Sequence, residues 1–120
     1  MPLDFLLFGA RAENFIASHL LKAVQFWTDS GLGNFQLYYL RDTQKREVDF
    51  LVTQNDEPWF LVEAKNSSDS ISSSLYHFQE QTKAPFAFQV LVNSPFINRD
   101  CFIDHHPIAV PARTLLSQLV

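Results

Sequence analysis

Two carboxylates and a lysine lie at a spacing that could build a divalent-metal site: Asp49, Glu63 and Lys65. Each carboxylate belongs to an apolar segment with the alternation of a β-strand. If the two segments pair as an antiparallel hairpin centred on Asp56, Asp49 lies directly opposite Glu63. Directly opposed strand residues have Cβ atoms roughly 4.5–5.5 Å apart, where like charges repel. Because carboxylate oxygens bind Mg²⁺ or Mn²⁺, we predict that one of these ions lies between the two acids.

The predicted hairpin pairs a strand at 47–52 with a strand at 60–65 through a loop of residues 55–57. Side chains on a strand alternate between its two faces, so Asp49, Glu63 and Lys65 share one face. The other face is apolar and is made of Val48, Phe50, Val52, Phe60 and Val62.

Glu47 offers an alternative to Asp49, because it is two residues away on the same face and lies opposite Lys65. We prefer Asp49 as the ligand, since the register places it beside Glu63. A purely structural interpretation is also open, in which Glu47, Glu63 and Lys65 form a charge cluster at one end of the sheet.

A helix is predicted over Gly9 to Trp27, from apolar residues that recur at helical spacing. Its apolar face consists of Ala12, Phe15, Ile16, Leu20, Ala23, Val24 and Trp27. Glu13 projects at the rim of that face. His19 falls inside it, and we interpret it as a hydrogen-bonded core histidine rather than a ligand.

Apolar spacing and turn residues predict the remaining elements: a strand at 35–40, a helix at 71–82, a strand at 86–92, an irregular segment at 95–106 with a short strand at 101–103, an edge strand at 108–110 and a closing helix with Pro111 at its first position. The serine-rich stretch 66–74 is predicted to be a loop that caps the second helix. The step from strand 58–65 through this helix to strand 86–92 predicts a parallel crossover. We therefore predict an α/β fold, a mixed central sheet flanked by helices.

The composition predicts one folded domain over residues 1–120. The chain is 47% apolar and contains twelve Phe residues, which favours a packed core over disorder.

Its net charge of −4 counts against nucleic-acid binding, since phosphate affinity depends on Lys and Arg. A bound divalent ion would restore positive charge locally. Arg41, Lys45 and Arg46 could contact a phosphate backbone or simply solvate a strand end.

We predict a cytoplasmic protein that does not enter a membrane. The single cysteine, Cys101, excludes an internal disulfide and fits a reducing compartment. Residues 1–4 lack the basic region of a signal peptide, and no apolar run reaches the roughly 18 residues of a membrane span.

Three further groups of residues have an ordinary structural interpretation that we prefer. Cys101, Asp104, His105 and His106 could suggest zinc, but there is no second Cys pair and Pro107 indicates a turn. Trp59, Tyr38 and Tyr39 could stack on bases, yet on apolar strands they are more typical of a core. His77 is predicted to lie on a helix surface.

The element order, with Asp49 on the second strand and Glu63-Ala64-Lys65 on the third, resembles the restriction-endonuclease-like PD-(D/E)XK superfamily. The phrases at 9–15, 46–50 and 61–65 also resemble the domain of unknown function found C-terminal to AAA-type P-loop ATPase modules in bacteria and archaea. This resemblance implies that Asp49 and Glu63 are metal ligands, Lys65 the catalytic lysine, and Glu13 an accessory acid. The Ala64 carbonyl could supply a further ligand oxygen.

The function expected from these residues is metal-dependent hydrolysis of phosphodiester bonds in DNA or RNA. The bound Mg²⁺ or Mn²⁺ would activate water, and Lys65 would orient it or neutralise developing charge. The alternative is a catalytically silent interaction domain that pairs with a P-loop ATPase or with itself. The resemblance implies a neighbouring ATPase module, but the sequence contains no Gly-x-x-x-x-Gly-Lys-Ser/Thr motif, so we expect a fragment or shortened relative of a longer ATPase.

Overall fold

The computed structural model describes the backbone of residues 7–41 and 48–119, and the side chains of residues 13–40 and 50–119. The elements in chain order are α1 (Leu7–Asp29), β1 (Phe35–Arg41), β2 (Val48–Gln54), β3 (Glu57–Lys65), α2 (Ser73–Thr82), β4 (Phe86–Leu91), β5 (Ile108–Pro111) and α3 (Ala112–Ser117). This order matches the one predicted from hydrophobic spacing except for the short strand expected at 101–103, and the bounds differ by a few residues.

The strands form one five-stranded sheet in the order β1-β2-β3-β4-β5. The pairs β1/β2 and β2/β3 are antiparallel, whereas β3/β4 and β4/β5 are parallel. The parallel step from β3 to β4 passes through α2, so the predicted crossover is confirmed. The mixed α/β class is confirmed as well, with β5 at one edge of the sheet as expected.

Helices cover both faces of the sheet, and each face has its own core. The larger core joins α1 and α3 to the sheet residues Phe50, Phe60 and Phe88. The smaller core joins α2 to Leu51, Leu61 and Ala87. Because neighbouring strand residues alternate between these two cores, the α1/α3 face and the α2 face of the sheet are separate environments. Each fully buried Phe on the α1/α3 face contributes roughly 1.5–3 kcal/mol through burial.

The buried stripe of α1 is narrower than predicted. Ile16, Leu20 and Trp27 are buried, but Phe15 is 58% exposed and His19 is exposed too. With 3.6 residues per turn, Phe15 and His19 project about a quarter to a third of a turn away from the stripe centre. Their rings meet edge to face at 4.7 Å on the helix surface. The interpretation of His19 as a core histidine is therefore wrong.

The β2–β3 hairpin turns on two residues rather than three. Asn55 and Asp56 have φ angles of 53° and 68°, the left-handed conformation that tight hairpin turns require. A β-bulge near Val52 and Thr53 absorbs the extra residue, Trp59, because Val52 pairs with Phe60 while Thr53 pairs with Pro58. The predicted register is therefore correct at the base of the hairpin and shifted by one residue at its tip.

The segment between β4 and β5 is irregular, as predicted, but the short strand expected at 101–103 is absent. The outer edge of β4 is occupied by β5, which pairs with it from Ile108 onward. Phe102 instead packs its ring against Phe60 and Phe88 at 5.4 and 5.1 Å. Pro111 ends β5 and is the N-cap of α3, one position before the first helical residue that we predicted for it.

Candidate functional site

The β2/β3 register places Asp49 directly opposite Glu63, as the sequence predicted. The flanking pairs follow the same register, with Phe50 opposite Val62 and Leu51 opposite Leu61. Asp49 is described by its backbone only. The pairing confirms that the two acids occupy facing positions on neighbouring strands.

Glu63 is fully buried, and both of its carboxylate oxygens accept hydrogen bonds. The Ser72 hydroxyl donates to Oε1, and the Ser74 hydroxyl donates to Oε2 at 3.3 Å. The Lys65 ammonium lies 4.0 Å from Oε2. A buried carboxylate is costly unless it is hydrogen-bonded and paired, and these three groups compensate that cost.

Lys65 lies at the end of β3, two residues beyond Glu63 on the same face of the strand. Its side chain is 27% exposed, so the ammonium connects the buried carboxylate to the protein surface. The structure therefore brings Glu63 and Lys65 together as predicted.

Gln89 is a buried polar residue that the sequence analysis missed. It pairs with Glu63 in the parallel β3/β4 ladder and has no exposed surface. Its Oε1 accepts from the Ser72 backbone N–H at 3.0 Å, and its Nε2 donates to the carbonyls of Ser68 and Ser70, both at 2.9 Å. The sequence did contain a sign of this role, because Gln89 is the one polar side chain in the otherwise apolar strand 86–92.

Ser72 was predicted only as part of a capping loop. It is the N-cap of α2, since its hydroxyl accepts from the Leu75 backbone N–H at 3.2 Å. Its contact with Glu63 was not predicted, because it depends on the position of α2 over the sheet. The loop before α2 is thus part of the candidate site.

Glu13 and Ala64 belong to the other side of the sheet. Glu13 is half-buried on α1, which packs on the α1/α3 face, whereas Glu63 points to α2. Ala64 is half-buried and packs against the α1/α3 core. The roles predicted for the Glu13 carboxylate and the Ala64 carbonyl stay predictions.

Glu47, Lys45 and Arg46 lie outside the described residues, and Arg41 is described by its backbone only. Among the residues whose side chains are described, no three His, Cys, Asp or Glu come together as metal ligands. That statement does not cover the predicted pair of Asp49 and Glu63, because the side chain of Asp49 is not among those described.

The residues considered for zinc have other contacts. Asp104 forms an ion pair with Arg99 at 3.2 Å, and the His105 ring stacks on Phe86 at 4.9 Å. Cys101 is buried, and burial raises the pKa of its thiol. These contacts fit the ordinary structural interpretation of the segment.

The aromatic residues of β1 differ from the prediction. Tyr38 and Tyr39 are 44% and 47% exposed, so the interpretation of both as core residues is wrong. They lie on β1, an edge strand, where one flank has no strand neighbour among the described residues. Trp59 does join the core, with ring contacts to Trp27 and Phe35 at 5.6 and 5.7 Å. His77 is exposed on α2, as predicted.

Fold and site together define a mixed α/β domain with opposed acids on an antiparallel strand pair and a lysine two residues after one of them. The chain belongs to the family described as Domain of unknown function (DUF4143), whose sequence profile matches residues 8–114. Searches among curated proteins and among solved structures found no match. Within the described part of the chain, every helix is too short or too polar to cross a membrane.

Proposed function

We propose that this chain is a divalent-metal-dependent, nuclease-like domain of the PD-(D/E)XK type that hydrolyses phosphodiester bonds of DNA or RNA. The observation that carries the proposal is the strand register that sets Asp49 against Glu63. The Lys65 ammonium, 4.0 Å from the Glu63 carboxylate, supports it. The mixed sheet with a helical crossover after β3 is the arrangement expected for this superfamily.

The donor set fits Mg²⁺ or Mn²⁺. Both ions favour oxygen ligands, and Asp49, Glu63 and the Ala64 carbonyl would supply them. Both carboxylate oxygens of Glu63 accept hydrogen bonds from serine hydroxyls, those of Ser72 and Ser74. Carboxylates that bind metals are themselves usually hydrogen-bonded. When bound, such an ion lowers the pKa of water and polarises a phosphate.

Lys65 and Glu13 take the remaining roles in this proposal. The Lys65 ammonium is partly exposed, so it can contact a phosphate oxygen and neutralise charge that develops during hydrolysis. Glu13 keeps the role of accessory acid that the family resemblance implies, although it lies on α1, which packs on the opposite face of the sheet from the Glu63 carboxylate. The family resemblance further supports a functional association with a P-loop ATPase module.

Thermal melts with and without Mg²⁺ or Mn²⁺ test the metal site directly. We expect the ions to raise the melting temperature of the wild type and to leave that of Asp49→Asn unchanged, because the variant loses a ligand charge. Asp56→Asn is the matched control, since it makes the same change at an exposed turn position with φ 68° that Asn tolerates. A wild type that shows no ion-dependent shift would refute the metal site.

Cleavage of single- and double-stranded DNA and RNA at increasing ion concentration tests turnover. We expect Lys65→Ala to lose cleavage by a factor of about 10²–10³, the range for removal of one group that stabilises developing charge. Cleavage that survives this substitution would point to a contaminating nuclease.

A second candidate is a catalytically silent interaction domain that pairs with a P-loop ATPase or with itself. The complete burial of Glu63 under two serine hydroxyls favours it, because a charge satisfied in this way can serve packing alone. Phe15 and Phe26 are 58% and 54% exposed and lie three turns apart on one face of α1. If this candidate is right, replacing both by Ser abolishes association in light scattering, and the wild type shows no ion-dependent shift.

A further inference from the structure

Gln89 ties the loop before α2 to the middle of the sheet. Its amide is fully buried, and a buried amide is destabilising unless it is hydrogen-bonded. All three of its hydrogen bonds go to this loop, at the Ser68 and Ser70 carbonyls and the Ser72 backbone N–H. The loop is therefore held at a fixed height over β4, beside the pairing partner of Gln89, which is Glu63.

Ser72 is the residue through which this attachment reaches the carboxylate. Its backbone N–H donates to Gln89, and its hydroxyl oxygen accepts from the Leu75 N–H. With the oxygen engaged by α2, the single hydroxyl proton is directed to Glu63 Oε1. The same side chain thus ends the loop, begins α2 and contacts the buried acid.

Ser74 contacts the second oxygen of the same carboxylate. Its hydroxyl lies 3.3 Å from Glu63 Oε2 and also 3.3 Å from the Ser72 hydroxyl. Two donors on two different oxygens fix the rotation of a carboxylate about its last bond, which one donor cannot do. The orientation of the Glu63 carboxylate relative to α2 is thereby fixed.

We infer that Ser72, Ser74 and Gln89 are positioning residues that orient Glu63 for a divalent ion, an inference that rests on the proposed function. The two serines hold the carboxylate directly, and Gln89 holds Ser72. Outer partners of this kind typically alter metal affinity by 10–100-fold when they are removed. A carboxylate buried only for packing would need the same hydrogen bonds but would show no such effect on ion binding.

Calorimetric titration of the full chain with Mn²⁺ tests the inference. Ser74→Ala removes one donor and leaves the N-cap residue of α2, Ser72, in place, and we expect about tenfold weaker Mn²⁺ binding. Ser72→Ala should weaken binding at least as much, whereas Ser72→Thr keeps the hydroxyl and should restore it. Ser73→Ala is the matched control, since Ser73 lies between the two on α2 and is exposed.

Circular dichroism melts without metal establish that each variant is folded before it is titrated. Wild-type binding with a loss in Ser74→Ala and rescue in Ser72→Thr supports the inference. Wild-type binding with unchanged affinity in both alanine variants overturns the inference and leaves the proposed function standing. Absence of Mn²⁺ binding by the wild type overturns both.

Discussion

The two faces of the sheet bury different kinds of side chain. The α1/α3 face is aromatic and apolar, with Phe50, Phe60 and Phe88 fully buried. The α2 face has a smaller apolar cluster and buries Glu63 and Gln89 beside it. Apolar burial is non-directional, whereas buried polar groups need partners at defined positions. The contrast indicates that the α1/α3 face supplies stability and that the α2 face is built for a specific arrangement.

Phe60→Ala tests the stabilising role of the α1/α3 face and should have the largest effect. The ring has no exposed surface, so its removal leaves a cavity and should lower the free energy of unfolding by about 3–5 kcal/mol. Denaturant unfolding measures this change. Leu32→Ala, at a side chain that is 62% exposed, is the control. Equal costs for the two variants would remove the distinction between core and surface on this face.

Gln89→Leu tests whether the α2 face depends on directional bonds. The substitution replaces the amide by an apolar side chain of similar size and leaves the Ser72 N–H and the Ser68 and Ser70 carbonyls without their partner. We expect a loss of about 1–3 kcal/mol and faster hydrogen exchange at the Ser72 amide. Gln81→Leu, at an exposed position on α2, should change stability by less than about 0.5 kcal/mol. Unchanged exchange at Ser72 would contradict the anchoring role of Gln89.

Ser72→Ala tests how much the N-cap hydroxyl stabilises α2. Loss of an N-cap hydroxyl costs typically about 1 kcal/mol, so the melting temperature should fall modestly. Ser73→Ala, one position later and exposed, should leave it almost unchanged. Equal melting temperatures for the two variants would show that the Ser72 hydroxyl contributes nothing to α2.

Cys101 allows a smaller, pH-dependent test of the α1/α3 core. Burial raises the pKa of this thiol, so the folded protein keeps its proton at pH values where the unfolded chain loses it. The free energy of unfolding should therefore decline as the pH rises above about 8.5, the ordinary thiol value. Cys101→Ala should show a flatter pH dependence in denaturant unfolding. An equally steep decline in that variant would assign it to other groups.

The sequence alone predicted the features that depend on strand alternation and on the pairing of the hairpin strands. The alternation of 47–52 and 60–65 fixed which residues share a face, and the Asp49–Glu63 register followed from it. The two-residue turn at Asn55 and Asp56 was missed because a bulge can absorb one residue anywhere along a strand. Trp59 gave no local sign that it was the residue absorbed.

Long-range contacts account for the other differences. Ser72 and Gln89 are 17 residues apart, and only the placement of α2 over the parallel strands brings them to Glu63. Phe15 and His19 were assigned to the core because spacing alone does not reveal how wide a stripe the sheet covers. Tyr38 and Tyr39 were misjudged for a similar reason, since strand order decides which apolar strand lies at an edge.

The bulge between Val52 and Thr53 has a consequence for the length of the hairpin. A one-residue slip along the whole hairpin would send Glu63 to the aromatic side of the sheet, because strand side chains alternate. A bulge confines such a slip to the residues beyond it. A one-residue change in length at the hairpin tip can therefore be absorbed while Asp49 remains opposite Glu63.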